Sequence, residues 1–195
     1  KVIDETIDLL VNDEVFISIA SARFIKNSLT YSYRTSAEER KKWMQHFLDI
    51  LKKLLLVIRD KQLHFLTAFF IAESLNWHIL HGNEDTNSVS NQIFKLLEDS
   101  LEFKVASTLM HGNYFNNKNY LDITLQLQDQ NLSLECLTDQ LQSNYPSENL
   151  LFEFLLKIED EIFHYCPDIT TYSYNIYNSI IQKNYSFALC IIDKA

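Results

Sequence analysis

Residues 35–82, TSAEERKKWMQHFLDILKKLLLVIRDKQLHFLTAFFIAESLNWHILHG, decide the fold class. Ser36-Ala37-Glu38-Glu39 has the form of a capping box, in which a serine and a glutamate three residues on satisfy each other's backbone N–H groups. A helix is therefore expected from Ala37. Trp43, Phe47, Leu51, Leu54 and Ile58 then recur at three- and four-residue steps, with Arg40, Lys41, Lys42, Asp49, Lys52 and Lys53 mostly between them. Asp60-Lys61 interrupts the pattern, and a second apolar run from Leu63 to Leu80 stops at His81-Gly82-Asn83. The stretch predicts a long helical hairpin at the core of an all-α domain. It contains no decisive chemistry.

The flanking sequence extends the same architecture. Val2 to Val11 and Val15 to Leu29 read as helices that precede the hairpin, with Asn12-Asp13 between them. After Gly82 a polar loop is expected over 83–90, then a helix from Val89 or Ser90 that carries Ile93, Leu96, Leu97, Leu101 and Val105 to His111-Gly112-Asn113. Leu121, Ile123, Leu125 and Leu127 alternate with polar residues at the strand period, yet no second alternating segment offers a partner, so helix and strand both stay open at 120–128. Leu132 to Leu141 reads as a short helix. Pro146-Ser147-Glu148 opens a strongly apolar one, Leu150 to Tyr165, which Pro167 ends. Thr170 to Lys183 and Tyr185 to Ala195 form the last pair. The sum is about ten helices in successive antiparallel pairs, an α-solenoid-like array in one domain over 1–195.

Composition narrows the function classes. With 47 % hydrophobic and 13 % aromatic residues, the 195-residue chain has ample material for a packed core. Only two glycines and two prolines occur, which argues against turn-rich β folds, a phosphate-cradling glycine loop and a dinucleotide fold. The net charge of −9, with no basic block longer than Arg40-Lys41-Lys42, is the reverse of a nucleic-acid footprint. Cys136, Cys166 and Cys190 are odd in number and widely spaced, as expected of buried reduced thiols in an intracellular protein. No apolar run is long enough to span a bilayer, because Glu73, Asn76 and His78 break the longest one. The chain begins at Lys1 and ends within a helical pattern, so a fragment of a longer chain is expected.

Several residues are candidates for chemistry or binding. The acidic run Glu159, Asp160 and Glu161 and the aromatics Tyr165, Tyr172, Tyr174 and Tyr177 form the expected partner-binding set, suited to basic segments of a protein partner. Stacking of bases on those tyrosines is the RNA-binding alternative. His78 and His81 have usable metal spacing, and Glu161-Ile162-Phe163-His164 is a Glu-x-x-His element, but neither has the further ligands a site needs. No metal and no cofactor is expected. The punctuation His81-Gly82-Asn83 recurs at His111-Gly112-Asn113, a spacing in the range of helix-pair repeats, although two helices ending alike would look the same.

Cys166-Pro167-Asp168-Ile169-Thr170-Thr171-Tyr172, with Ile176 and Ala188-Leu189 through Ala195, resembles a pentatricopeptide repeat. Ala188, Ile192 and Ala195 also take the small–large–small positions of a tetratricopeptide second helix, although Ile176 and Ser179 depart from its first-helix pattern. The resemblance covers about 30 residues. It implies a superhelical surface that binds a peptide, or single-stranded RNA in the pentatricopeptide case. Arg59-Asp60-Lys61-Gln62-Leu63-His64 is similar to the Arg-polar-x-x-x-His motif of the HEPN ribonucleases. That similarity implies Arg59 for phosphate charge, His64 as acid or base on a ribose 2′-hydroxyl, and Asp60 as their orienter. The same six residues also read as a solvated helix junction with His64 beside Phe65. The preferred expectation is a non-enzymatic helical-repeat scaffold, with the ribonuclease and the RNA binder as alternatives.

Overall fold

The computed structural model describes residues 2–31, 37–79, 84–97, 100–111, 134–145 and 147–167. Among the described residues there are eight α-helices and one 3₁₀ turn, and no strand. In chain order they are α1 (Val2–Asp8), the 3₁₀ turn (Leu9–Val11), α2 (Val15–Tyr31), α3 (Ala37–Ile58), α4 (Phe65–Ile79), α5 (Glu84–Leu97), α6 (Leu101–His111), α7 (Leu134–Asn144) and α8 (Glu148–Tyr165). The all-α reading holds, with fewer helices than the ten or so expected. Two of the expected helices, at 170–183 and 185–195, lie outside the described residues, as does the open segment 120–128.

Local rules explain the boundaries that agree and those that differ. α3 starts at Ala37, directly after the capping-box serine. α8 ends at Tyr165, where the Cys166 N–H donates to the Ile162 carbonyl at 2.8 Å before Pro167, which has no N–H to continue the ladder. Residues 84–90, expected as loop, are helical. Glu84 and Asp85 occupy the first turn, where the helix dipole favours acids, and the small hydroxyl residues Thr86 and Ser90 are buried on the same face as Ile93, Phe94 and Leu97. A pattern built on apolar residues alone cannot see that face begin. The single helix expected from Ser90 to His111 is two helices, α5 and α6. The Ser100 hydroxyl caps α6 by accepting the Phe103 N–H at 3.2 Å and donates to Glu102 Oε2 at 3.0 Å. Helix restart at Ser100 preserves the four-residue apolar spacing, so the sequence pattern hides the break.

The chain divides into two compact units, Lys1–Phe103 and Lys104–Ala195. In the first, α2 lies along α4, α3 along α5, and α4 also meets α5, while α1 bridges α2 and α3. The hairpin expected from residues 35–82 therefore uses different neighbours: α3 packs chiefly on α5 and α1, and α4 on α2 and α5. The reason lies in their surfaces. α3 is amphipathic, with Phe47, Ile50, Leu51, Leu54 and Ile58 buried and Lys52 exposed. α4 is buried at every position from Phe65 to Leu75, so it needs neighbours on several sides.

A helix buried all round must satisfy its polar groups internally. Ser18 of α2 donates to the Leu10 carbonyl at 2.6 Å, which leaves its oxygen to accept from the Thr67 hydroxyl of α4 at 2.8 Å. One buried serine thus ties the 3₁₀ turn, α2 and α4 together. The Ser74 hydroxyl donates to the Ile71 carbonyl of its own helix at 2.7 Å. α1 is held to α3 by Lys53, whose ammonium donates to the Asp4 carbonyl and to Asp8 Oδ2. In the second unit, α7 buries Leu137 and Leu141, and α8 buries Leu151, Phe152, Phe154, Leu155, Ile158 and Ile162. Tyr145 stacks on Phe154 with ring centroids 4.5 Å apart.

Candidate functional site

Three places carry polar groups that the packing of the core does not require in that form. The first is the junction of α3 and α4. α3 closes with the Arg59 N–H donating to the Leu55 carbonyl at 3.1 Å and the Lys61 N–H to the Ile58 carbonyl at 3.2 Å. Residues 59–64 then lead to α4, and residues 59–63 rim a cleft of about 410 Å³ whose apolar floor includes Ile58, Ala68 and Leu97. Arg59, Asp60, Lys61 and Gln62 are exposed on this rim, so salt and water screen the charges of the first three. Ser100, at the cleft's edge, has its hydroxyl engaged in capping α6.

The structure brings Arg59 and Asp60 to the rim of this cleft, but His64 is not among its lining residues. His64 is half-buried and stacks on Phe65, with ring centroids 4.6 Å apart and planes inclined by 28°. Its Nδ1 accepts the Leu66 N–H at 3.3 Å, and its carbonyl accepts the Ala68 N–H at 3.0 Å. His64 therefore stands at the N-cap of α4, with the imidazole serving an otherwise orphaned backbone donor. Metal-binding geometry is absent from the described residues: no three His, Cys, Asp or Glu side chains converge. His81, the second histidine of the i, i+3 pair, lies outside them.

The second place is α8. Successive residues of a helix point about 100° apart, so Glu159, Asp160 and Glu161 cannot share a face. Asp160 is exposed on the outward side together with Glu153, Leu156 and Phe163, the last two being 38 % and 44 % exposed. Glu159 and Glu161 fall on the two half-buried margins, and Glu161 lies 3.9 Å from the Lys157 ammonium one turn earlier. Tyr165 is half-buried on the inner margin, its ring meeting His164 edge-on at 4.7 Å. The expected binding set is thus split by helix geometry, and Tyr172, Tyr174 and Tyr177 lie outside the described residues. The residues that sequence reasoning missed are Leu156 and Phe163, to which it gave no binding role within the apolar helix 150–165. Their position on the helix wheel, roughly 110–130° around from the centre of the buried stripe of Leu151, Leu155, Ile158 and Ile162, was the available signal.

The third place is a buried ion pair. Glu73 of α4, only 5 % exposed, meets the ammonium of Lys26 from α2, and no further hydrogen bond to either carboxylate oxygen is found among the described residues. Burial pushes the Glu73 carboxyl above its ordinary value, and the adjacent Lys26 charge opposes that rise. The Phe70 ring lies beneath both cations of α2, with the Lys26 ammonium and the Arg23 guanidinium each 5.4 Å from its centroid. From sequence, Glu73 is legible only as a break in an apolar run, since nothing local marks the lysine 47 positions earlier as its partner. No described helix is long and apolar enough to cross a membrane. The chain matches no protein-family model, no curated protein and no solved structure.

Proposed function

We propose that the protein is a non-enzymatic helical scaffold, stacked in the manner of an α-solenoid, whose α8 binds a basic, amphipathic segment of a protein partner. The observation that carries this reading is the outward face of α8, where Leu156 and Phe163 stand exposed beside Glu153 and Asp160. Apolar side chains flanked by acids suit a helix with an apolar stripe and lysine or arginine edges. The chain's net charge of −9 adds a long-range attraction for such a segment. Support for stacking comes from the packing of α2 with α4 and α3 with α5, since in layered helix arrays every second helix shares a layer.

Fluorescence anisotropy of a labelled basic amphipathic peptide tests the reading. Binding should weaken with rising salt, and both Phe163→Ala and Asp160→Lys should reduce it by about tenfold or more. Equal binding by the parent and both variants would remove α8 as the site. The ribonuclease reading keeps one favourable observation, the placement of Arg59 and Asp60 at the rim of an open cleft. Cleavage of single-stranded RNA that is lost on Arg59→Ala in a folded variant would replace the scaffold reading with it.

A further inference from the structure

The outward face of α8 sorts its residues into two rows. Leu156 and Phe163, seven residues apart, make an apolar row, and Glu153 and Asp160, also seven apart, make an acidic one. All four are exposed. Seven residues fall only about 20° short of two full turns, so each row runs along the helix. Each acid precedes its apolar neighbour by three residues, which sets the rows about 60° apart. Among the described residues neither Glu153 nor Asp160 is held in an ion pair, and the nearby Lys157 ammonium is turned toward Glu161.

Steps of three and four residues occur on any helix face, so the information lies in what occupies them. Two rows with a common seven-residue step present a repeating pattern to a second helix packed lengthwise, whose side chains enter the spaces between those of α8. Charge identifies that neighbour. A parallel second copy of α8 would set acidic row against acidic row, which repels. An antiparallel copy would set each acid on an apolar side chain, which desolvates a carboxylate without pairing it. A helix that keeps the apolar row and carries lysine or arginine in the other satisfies both rows at once.

We propose that this face binds one α-helix of a protein partner lengthwise, and that in this helix apolar residues and cations each recur every seven positions in adjacent rows. The inference rests on the reading of α8 as the binding face and adds the conformation and register of what binds there. The apolar rows meet and exclude water, while the cations face Glu153 and Asp160. From Glu153 to Phe163 the seam is only about 15 Å long. An isolated helix of that length is marginal in water, so an unstructured partner segment gains its helix on binding.

Two labelled peptides of identical composition, each of about three heptads, test this. In one, leucines and lysines each recur every seven residues in adjacent rows. In the other, the same lysines are moved to the opposite side of the helix. Fluorescence anisotropy should show the in-register peptide binding about tenfold more tightly or better, and circular dichroism should show it gaining helix as it binds. Asp160→Lys should weaken it by about tenfold, and exchanging the facing lysine of the peptide for glutamate should recover the loss. Because Asp160 is exposed, the variant should keep the thermal unfolding of the parent chain. Equal affinity for the two peptides, with both weakened by Asp160→Lys, overturns the two-row register and leaves α8 as a binding face. Tighter binding without a gain of helix overturns it as well. Binding of neither peptide overturns this inference and the α8 reading together.

Discussion

α4 and α8 are both strongly apolar helices, of 15 and 18 residues, and the molecule uses them in opposite ways. α4 is buried at every position from Phe65 to Leu75, between α2 and α5. Its polar groups are turned inward and answered there, Thr67 by Ser18, Ser74 by its own backbone and Glu73 by Lys26. α8 buries one stripe and leaves Leu156, Asp160 and Phe163 outside. α4 carries one charged residue, Glu73, and packs on several sides, whereas α8 carries six and leaves one face exposed. Charge along the chain and the number of sides on which neighbours pack separate them together.

That contrast is sharpest in the response to removing an aromatic ring. Phe69→Ala in α4 should cost about 3–5 kcal/mol, because the fully buried ring leaves a cavity its neighbours cannot close. Denaturant midpoints would show it, and a loss near zero would mean that α4 is not the core helix described. Lys26→Ala should come next, at roughly 3 kcal/mol, since it strands a buried carboxylate. Glu73→Gln should cost less, because the Lys26 side chain retains 19 % exposure and can turn its ammonium toward water.

The same pair sets a pH dependence. Burial raises the Glu73 carboxyl in the folded state above its value in the unfolded chain. Between those two values the folded state holds a proton that the unfolded state has released. The stability this contributes is full below the unfolded value, about 4.3 for a glutamate, and is lost as pH rises through the folded one. Relative to Glu73→Gln, the parent protein should therefore lose stability over that upward interval. A difference independent of pH would mean that Glu73 is not desolvated. Smaller still, His64→Ala should cost about 1 kcal/mol through loss of the α4 cap. Phe163→Ala should shift stability by less than about 0.5 kcal/mol while lowering peptide binding, the inverse of Phe69→Ala.

Much of the local architecture was legible before any coordinates. Residues Ser36 to Glu39 placed the start of α3, and Pro167 placed the end of α8, because capping and the missing proline N–H act within a few residues. The helix was expected to open only at Val89 or Ser90 and opens at Glu84, since a buried hydroxyl residue such as Thr86 carries no apolar signal. The restart at Ser100 was invisible because it kept the spacing. Of the candidate residues, Arg59 and Asp60 share a cleft rim while His64 caps a helix beside Phe65. Six residues of sequence fix an order along the chain, not a direction in space.

By itself the sequence determined the all-α class, the amphipathic character of α3 and the acidic balance, since periodicity and composition are properties of the chain alone. Only the tertiary structure decided that α2 rather than α3 lies along α4, that Glu73 finds Lys26, and that Phe16, Phe24 and Phe163 stand outside. Those outcomes depend on which helices meet. A helix meets its neighbours through side chains far apart in sequence, and an apolar residue carries no mark of whether its neighbour will arrive.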